Sequence, residues 1–265
     1  GPDLGAVGEA CCWRSDSGRQ FPVRGRDMSK IYEAYRKRVG DEPDLTMELG
    51  RLGTVGLFPP PDGKQKDEFN QLANRLLGLK PDIRGAVLAF ASTASGEGAS
   101  FVSYNAAVCL ATIYQRKVAW IDANFQSPQK QLLYQDGPTL SALLQHPGRV
   151  EDLRLAGNPV VIPGGADLAA TRGLFADQRC HELVRSLARL FDFTLIDLPP
   201  VSSTTDTALM AAATDGLTLV IEQRYLKREV IGHGVEALHA KSVRVLGTVI
   251  NRRSYDLPKA IYDRL

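Results

Sequence analysis

From residue 85 onward, short apolar runs alternate with longer amphipathic stretches. Gly85–Ala91, Val118–Asp122, Val160–Pro163, Phe193–Asp197, Leu217–Glu222 and Val243–Ile250 are nearly unbroken runs of Val, Ile, Leu, Phe and Ala. Runs of this kind predict strands covered on both faces, as in a parallel sheet. Between them, Ser100–Arg116, Arg179–Leu190, Thr205–Ala213 and Lys227–Ala240 read as helices. In the second of these, Leu183, Leu187 and Leu190 fall on one face, and Arg179, Arg185 and Arg189 form the wet side. Strand–helix repetition on this scale predicts an α/β fold, a doubly wound and mostly parallel sheet in a three-layer αβα sandwich.

Upstream the pattern is weaker. Phe69, Leu72, Leu76 and Leu77 mark a helix between Lys66 and Leu79, and Pro81 stops it. Ser29–Val39 predicts a short amphipathic helix with Ser29 as N-cap and Ile31, Tyr32, Tyr35 and Val39 on one face. Its polar face is mixed in charge, which favours docking onto protein over lying on a membrane. Gly40–Thr46 and Pro59–Lys66 are linker-like. Residues 1–27, rich in Gly, Arg and Ser and opening Gly1-Pro2, read as a tail or a cleavage remnant, with Met28 as the natural start. The expected organisation is a tail (1–27), an N-terminal helix and linker (28–63) and the α/β domain (64–265).

Composition narrows the function classes. A chain of 265 residues that is 44% hydrophobic can fill one such domain with appendages. A net charge of +2 gives nucleic acid no electrostatic footing as main partner. Cys11, Cys12, Cys109 and Cys180 are too scattered for a disulfide framework, and His146, His181, His233 and His239 lack metal-ligand spacing. With no apolar run of membrane-spanning length and no signal-peptide core, the expected location is cytoplasmic.

Chemistry concentrates at three strand ends, where open α/β sheets bind ligands. The first is the small-residue loop Ser92–Gly98 followed by a helix, a shape in which backbone N–H groups and a helix dipole converge on one anion. Against the pattern G-x-x-x-x-G-K-[ST], Gly98 and Ser100 are in place, Thr93 holds the first glycine position and Ala99 the lysine position. The second is Asp122, closing Val118–Asp122, with Asn124 two residues on. The third is Asp197, closing Phe193–Asp197. A carboxylate at a strand end beside such a loop commonly holds Mg²⁺ or its waters, although each Asp could equally cap its own turn. Taken in this order within one βα series, they point to a nucleotide site.

These residues carry a specific resemblance. The chain resembles the bacterial tyrosine kinase (BY-kinase) family, P-loop proteins of capsule and exopolysaccharide assembly. Gly96-Glu97-Gly98-Ala99-Ser100 matches its first motif, S-x-x-P-G-E-G-K-[ST]. Ile121-Asp122-Ala123-Asn124-Phe125-Gln126-Ser127-Pro128 matches I-D-x-D-x-R-x-P, and Leu195-Ile196-Asp197-Leu198-Pro199-Pro200 matches [IV]-I-D-x-P-P. Ile162-Pro163-Gly164-Gly165 and Val249-Ile250-Asn251-Arg252 agree as well, so the likeness runs from Met28 nearly to the end.

The resemblance implies a P-loop NTPase-type fold. It also implies a nucleotide site built of Thr93, Gly96, Glu97, Gly98, Ala99, Ser100, Phe101, Asp122, Asn124 and Asp197, with Ser100, Asp122 and Asp197 as the metal residues if Mg²⁺ binds.

The departures fall on charge. Ala99 replaces the lysine, Asn124 an acid and Gln126 an arginine. Phosphoryl transfer rests on positioning and charge stabilisation, and single electrostatic losses cost roughly 10²–10³ in rate. The expectation is a catalytically degenerate, pseudokinase-like protein with no catalytic residue assigned, binding ATP or ADP with Mg²⁺ weakly if at all. The ring-forming helix motif E-x-x-R-x-x-R reads Glu68, Gln71 and Asn74, which argues against a family-type ring; other oligomers stay open. The family's C-terminal tyrosine cluster is reduced to Tyr255 and Tyr262.

By resemblance, the partner is an inner-membrane polysaccharide co-polymerase or a related exopolysaccharide assembly protein, which would bring the chain to the membrane surface. Two alternatives remain. One is an active kinase or ATPase that recruits Lys64, Lys66 or Lys80 in place of the missing lysine. The other is a positioning protein of the plasmid-partitioning type, which the small residues Ser92–Ser95 disfavour because that group carries a lysine there.

Overall fold

Strand pairing in the α/β region follows from the apolar runs. The computed structural model describes residues 12–14, 20–22, 58, 61, 63–79, 85–124, 138–152, 157–165, 172–223 and 228–252. The chain divides into two units, Gly1–Glu48 and Leu49–Leu265. In the first, β1 (Cys12–Arg14) pairs antiparallel with β2 (Gln20–Pro22), Trp13 opposite Phe21. These two strands lie in the stretch read from sequence as a tail or cleavage remnant. The expected Ser29–Val39 helix lies outside the described residues, as do Lys80, Gln126, Tyr255 and Tyr262.

Among the described residues, the first element of the second unit is α1 (Gly63–Gly78). Then come β3 (Ala86–Ser92), α2 (Ala99–Thr112), β4 (Val118–Asp122), α3 (Leu140–Gln145), β5 (Val160–Ile162) and α4 (Gln178–Leu190). β6 (Phe193–Asp197), α5 (Asp206–Ala212), β7 (Gly216–Glu222), α6 (Arg228–His239) and β8 (Val245–Asn251) follow among the described residues. Six strands form one sheet in the order β5-β4-β6-β3-β7-β8, with every pair parallel. The expected α/β fold is therefore present.

Each central strand buries both faces, which is why its sequence does not alternate. Along β3, Val87, Ala89 and Ala91 join one apolar cluster, with Leu143 of α3, Leu183 and Leu187 of α4 and Met210 of α5. Ala86, Leu88 and Phe90 join the other, with Trp120 of β4, Leu110 of α2 and Leu76 of α1. Helix α2 buries ten of its fourteen residues, covered by the sheet on one side and α1 on the other.

Element bounds mostly agree with the sequence reading to within one to three residues. The exception is α2, which stops at Thr112 instead of Arg116. Gln115 takes φ 51°, and the Arg116 N–H turns back to the Leu110 carbonyl at 3.1 Å. That is a left-handed helix end made without glycine. Unforeseen are α3 and two 3₁₀ turns, Pro147–Asp152 and Arg172–Ala176.

Candidate functional site

The loop between β3 and α2 is fixed by contacts from three directions. At its start, the segment after β6 runs alongside: Leu198 N–H donates to the Phe90 carbonyl (2.8 Å), Val201 to Ser92 (2.9 Å) and Ser202 to Thr93 (3.2 Å). In its middle, the Glu97 side chain turns inward and is fully buried. Its Oε2 accepts from the Ala94 N–H at 2.7 Å, and its Oε1 accepts from the Glu222 N–H at the end of β7, at 3.2 Å. At its close, Asn251 Nδ2 donates to the Glu97 carbonyl at 2.8 Å.

Two glycines make these turns possible. Gly96 has φ 92° and Gly98 φ 89°, in the left-handed region that side chains disfavour. A Cβ on Gly98 would also collide with the Asn251 side-chain nitrogen. Gly98 caps α2 without any side-chain hydrogen bond, so the helix start is left to backbone groups alone.

The three strand ends do come together. β4 and β6 pair in register with Asp122 opposite Asp197, and Asp197 is also opposite Phe90 of β3. Neighbouring strands lie about 4.8 Å apart, so both aspartates stand beside the root of the loop. Asp197 is fully buried and Asp122 is 4% exposed. Asp122 Oδ1 accepts from the Asn124 N–H at 3.1 Å, the capped turn that the cautious sequence reading allowed. Asn124 is half-buried just beyond it.

Ala99 opens α2 at 6% exposure, within the apolar cluster that holds Leu88 and Phe90. Ser100 follows, its carbonyl accepting from Ser103 Oγ at 3.2 Å. The Phe101 ring stacks edge-on against Phe58 (5.9 Å) and Phe69 (5.8 Å), tying the loop helix to α1. Thr93 is 1% exposed, and its Oγ1 has no hydrogen-bond partner among the described residues.

These features bear on whether a Mg²⁺-nucleotide fits. The glycine turns, the uncapped helix start and the orphan Thr93 hydroxyl suit a phosphate-sized group. The lysine position does not suit a triphosphate, because Ala99 sets a methyl group where a cation would stand, whereas Asp122 and Asp197 at the strand ends would suit Mg²⁺ or its waters. No set of three or more His, Cys, Asp or Glu able to hold a metal occurs among the described residues. The frame fits a phosphate and the cation that would hold a triphosphate is missing from it.

From sequence, Asn251 falls within a family match and Glu222 ends a predicted strand, but neither residue is assigned to this site. The apolar strands that end in them were legible, but nothing local indicates that either strand end reaches the loop.

Matched against models of protein families, the chain fits none. Its relatives are nonetheless consistent. It is 26% identical over 176 residues to the tyrosine-protein kinase CpsD of Streptococcus agalactiae, covering 63% of this chain and 75% of that one. It is 23% identical over 230 residues to the succinoglycan biosynthesis transport protein ExoP of Rhizobium meliloti, covering 82% of this chain and 28% of that one. Among solved structures, the kinase domain of Escherichia coli tyrosine kinase ETK superposes with a TM-score of 0.62 at 18% identity, covering 78% of this chain and 86% of that one. A cobyrinic acid a,c-diamide synthase from Mycobacterium smegmatis with bound ADP and magnesium shares the fold at a TM-score of 0.50 and 19% identity, over 68% of this chain and 82% of that one.

Proposed function

We propose that this chain, similar in sequence and fold to the bacterial tyrosine kinases of exopolysaccharide systems, is a catalytically degenerate member of that group. It serves as a scaffold or regulator of exopolysaccharide polymerisation or export, working through a membrane co-polymerase partner. One observation carries the reading: a loop built with a phosphate cradle's turns opens its helix on Ala99, where catalysis needs a cation. Asn124, in place of an acid beside Asp122, removes a second charge. Because phosphoryl transfer depends on such charges, the loss of both leaves shape without rate.

In this reading Thr93, Gly96, Glu97, Gly98 and Ser100 form a vestigial phosphate loop, and Phe101 anchors it to α1. Asp122 and Asp197, with Ser100, would meet Mg²⁺ only if a nucleotide brings it. The relatives support the choice of partner, since one of them is named for succinoglycan biosynthesis and transport. Among the described residues no helix is long and apolar enough to cross a membrane. On α1, Glu68, Gln71 and Asn74 are exposed and offer no arginine for a ring contact.

The purified chain, incubated with ATP and Mg²⁺, is expected to release no phosphate above background and to gain no phosphotyrosine. Turnover that vanishes in Asp122→Ala or Asp197→Ala would overturn the reading. A second reading, an enzyme with a relocated lysine, draws on α1. Lys66 stands one helical turn before Phe69, on the same face, and Phe69 meets Phe101 two residues past Ala99. Turnover lost in Lys66→Ala would favour that reading instead.

A further inference from the structure

We propose that Asn251 is a positioning residue for the phosphate loop, holding its final turn in cradle form from the end of β8 so that the cradle keeps its shape with no anion bound. The contact spans 154 residues of sequence, from Asn251 Nδ2 to the Glu97 carbonyl at 2.8 Å. The other end of the carboxamide is also committed: Oδ1 accepts from the Arg252 N–H at 2.9 Å. A carbonyl on one side and an N–H on the other admit only one orientation of the amide.

The backbone beneath Asn251 is fixed as well. Its carbonyl accepts from the Gln223 N–H at 3.2 Å. Arg252 enters the left-handed region at φ 50° and pairs with Glu222 at 2.8 Å. Glu222 in turn donates its own N–H to the Glu97 carboxylate. The ends of β7 and β8 thus grip Glu97 by its side chain and its carbonyl.

The consequence for the loop follows from peptide geometry. In a planar trans peptide the carbonyl and the next N–H point in opposite directions. Holding the Glu97 carbonyl toward Asn251 therefore aims the Gly98 N–H the other way, away from Asn251. Gly98 must also lack a Cβ for the Asn251 nitrogen to sit where it does. Asn251 does on the protein side what a bound phosphate does from the solvent side.

Amide hydrogen exchange on the full chain without ligand tests this. In Asn251→Ala, amides 93–100 are expected to exchange about tenfold faster or more, as for loss of one buried hydrogen bond, while β3 and β6 stay at wild-type rates. Asn251→Asp keeps the acceptor for Arg252 but sets an oxygen against the Glu97 carbonyl, so it too should free the loop. Wild-type loop exchange in Asn251→Asp, or acceleration spread evenly over the sheet in Asn251→Ala, would overturn the proposal.

A cycle with Gly98→Ala guards against a variant that is merely unstable. The thermal cost of Gly98→Ala should be smaller when Asn251 is already Ala, because the colliding nitrogen is gone; strictly additive costs would count against the clamp. No nucleotide enters either experiment, so failure here leaves the proposed function standing.

Discussion

Glu97 is a fully buried acid inside a loop shaped for anions, and its partners explain why it is there. Its two oxygens satisfy the N–H groups of Ala94 and Glu222, which would otherwise be stranded. Glu97→Ala should therefore cost about 2–5 kcal/mol, the penalty for unmet buried donors. Thermal unfolding should show it as a drop of roughly 5–15 °C, and Glu97→Gln, which keeps one acceptor, should lose less. Cys180 of α4 gives a pH-dependent prediction. Burial pushes its thiol up to about 11 from 9.0. The folded state thus holds the proton more tightly than the unfolded chain. The stability this gives is complete below pH 9, declines between 9 and 11, and is gone above. Over that window the wild type should lose roughly 2–3 kcal/mol more than Cys180→Ala, judged from denaturant midpoints at each pH.

Helix α2 shows how an element can be legible in kind and misjudged in extent. Val102, Ala106 and Leu110 announce a buried helix after a strand and a glycine turn, and the structure has one there. Its end was missed because Gln115 makes the left-handed turn that glycine usually signals. Helix α3 was overlooked although Thr139 caps it by accepting from the Ala142 N–H at 3.2 Å, with Leu140, Leu143 and Leu144 inward. At six residues it is too short for periodicity alone to find. The aspartates of β4 and β6 were read correctly as strand ends, since a polar residue closing an apolar run is a local signal. Asn251 and Glu222 act on a loop more than a hundred positions away, and that pairing exists only once β7 and β8 line up beside β3. One element-level contact can be checked directly. Trp120 of β4 donates its indole N–H to Ser103 Oγ of α2 at 3.0 Å, both buried. Ser103→Ala leaves that donor unmet and should cost about 1–3 kcal/mol, seen as a lower denaturant midpoint with unchanged slope.

At the scale of the molecule, the sheet order brings β6 and β7 to either side of β3, so that one loop is braced from both neighbours and from β8 beyond. That bracing is built from backbone amides, Glu97 and Asn251, none of which depends on the missing lysine. Under the proposed function, such a cradle keeps its shape without the charge that catalysis needs, and that shape is available for recognition by a partner. The central claim is that shape persists while charge is gone. Calorimetric titration of ADP and of ATP, each with Mg²⁺, into the wild type and into Ala99→Lys tests it most directly, with thermal unfolding run alongside to verify that the buried position tolerates the lysine. The account predicts no measurable heat of binding for the wild type and saturable binding for the variant. Tight binding by the wild type would contradict it, as would a folded variant that stays silent.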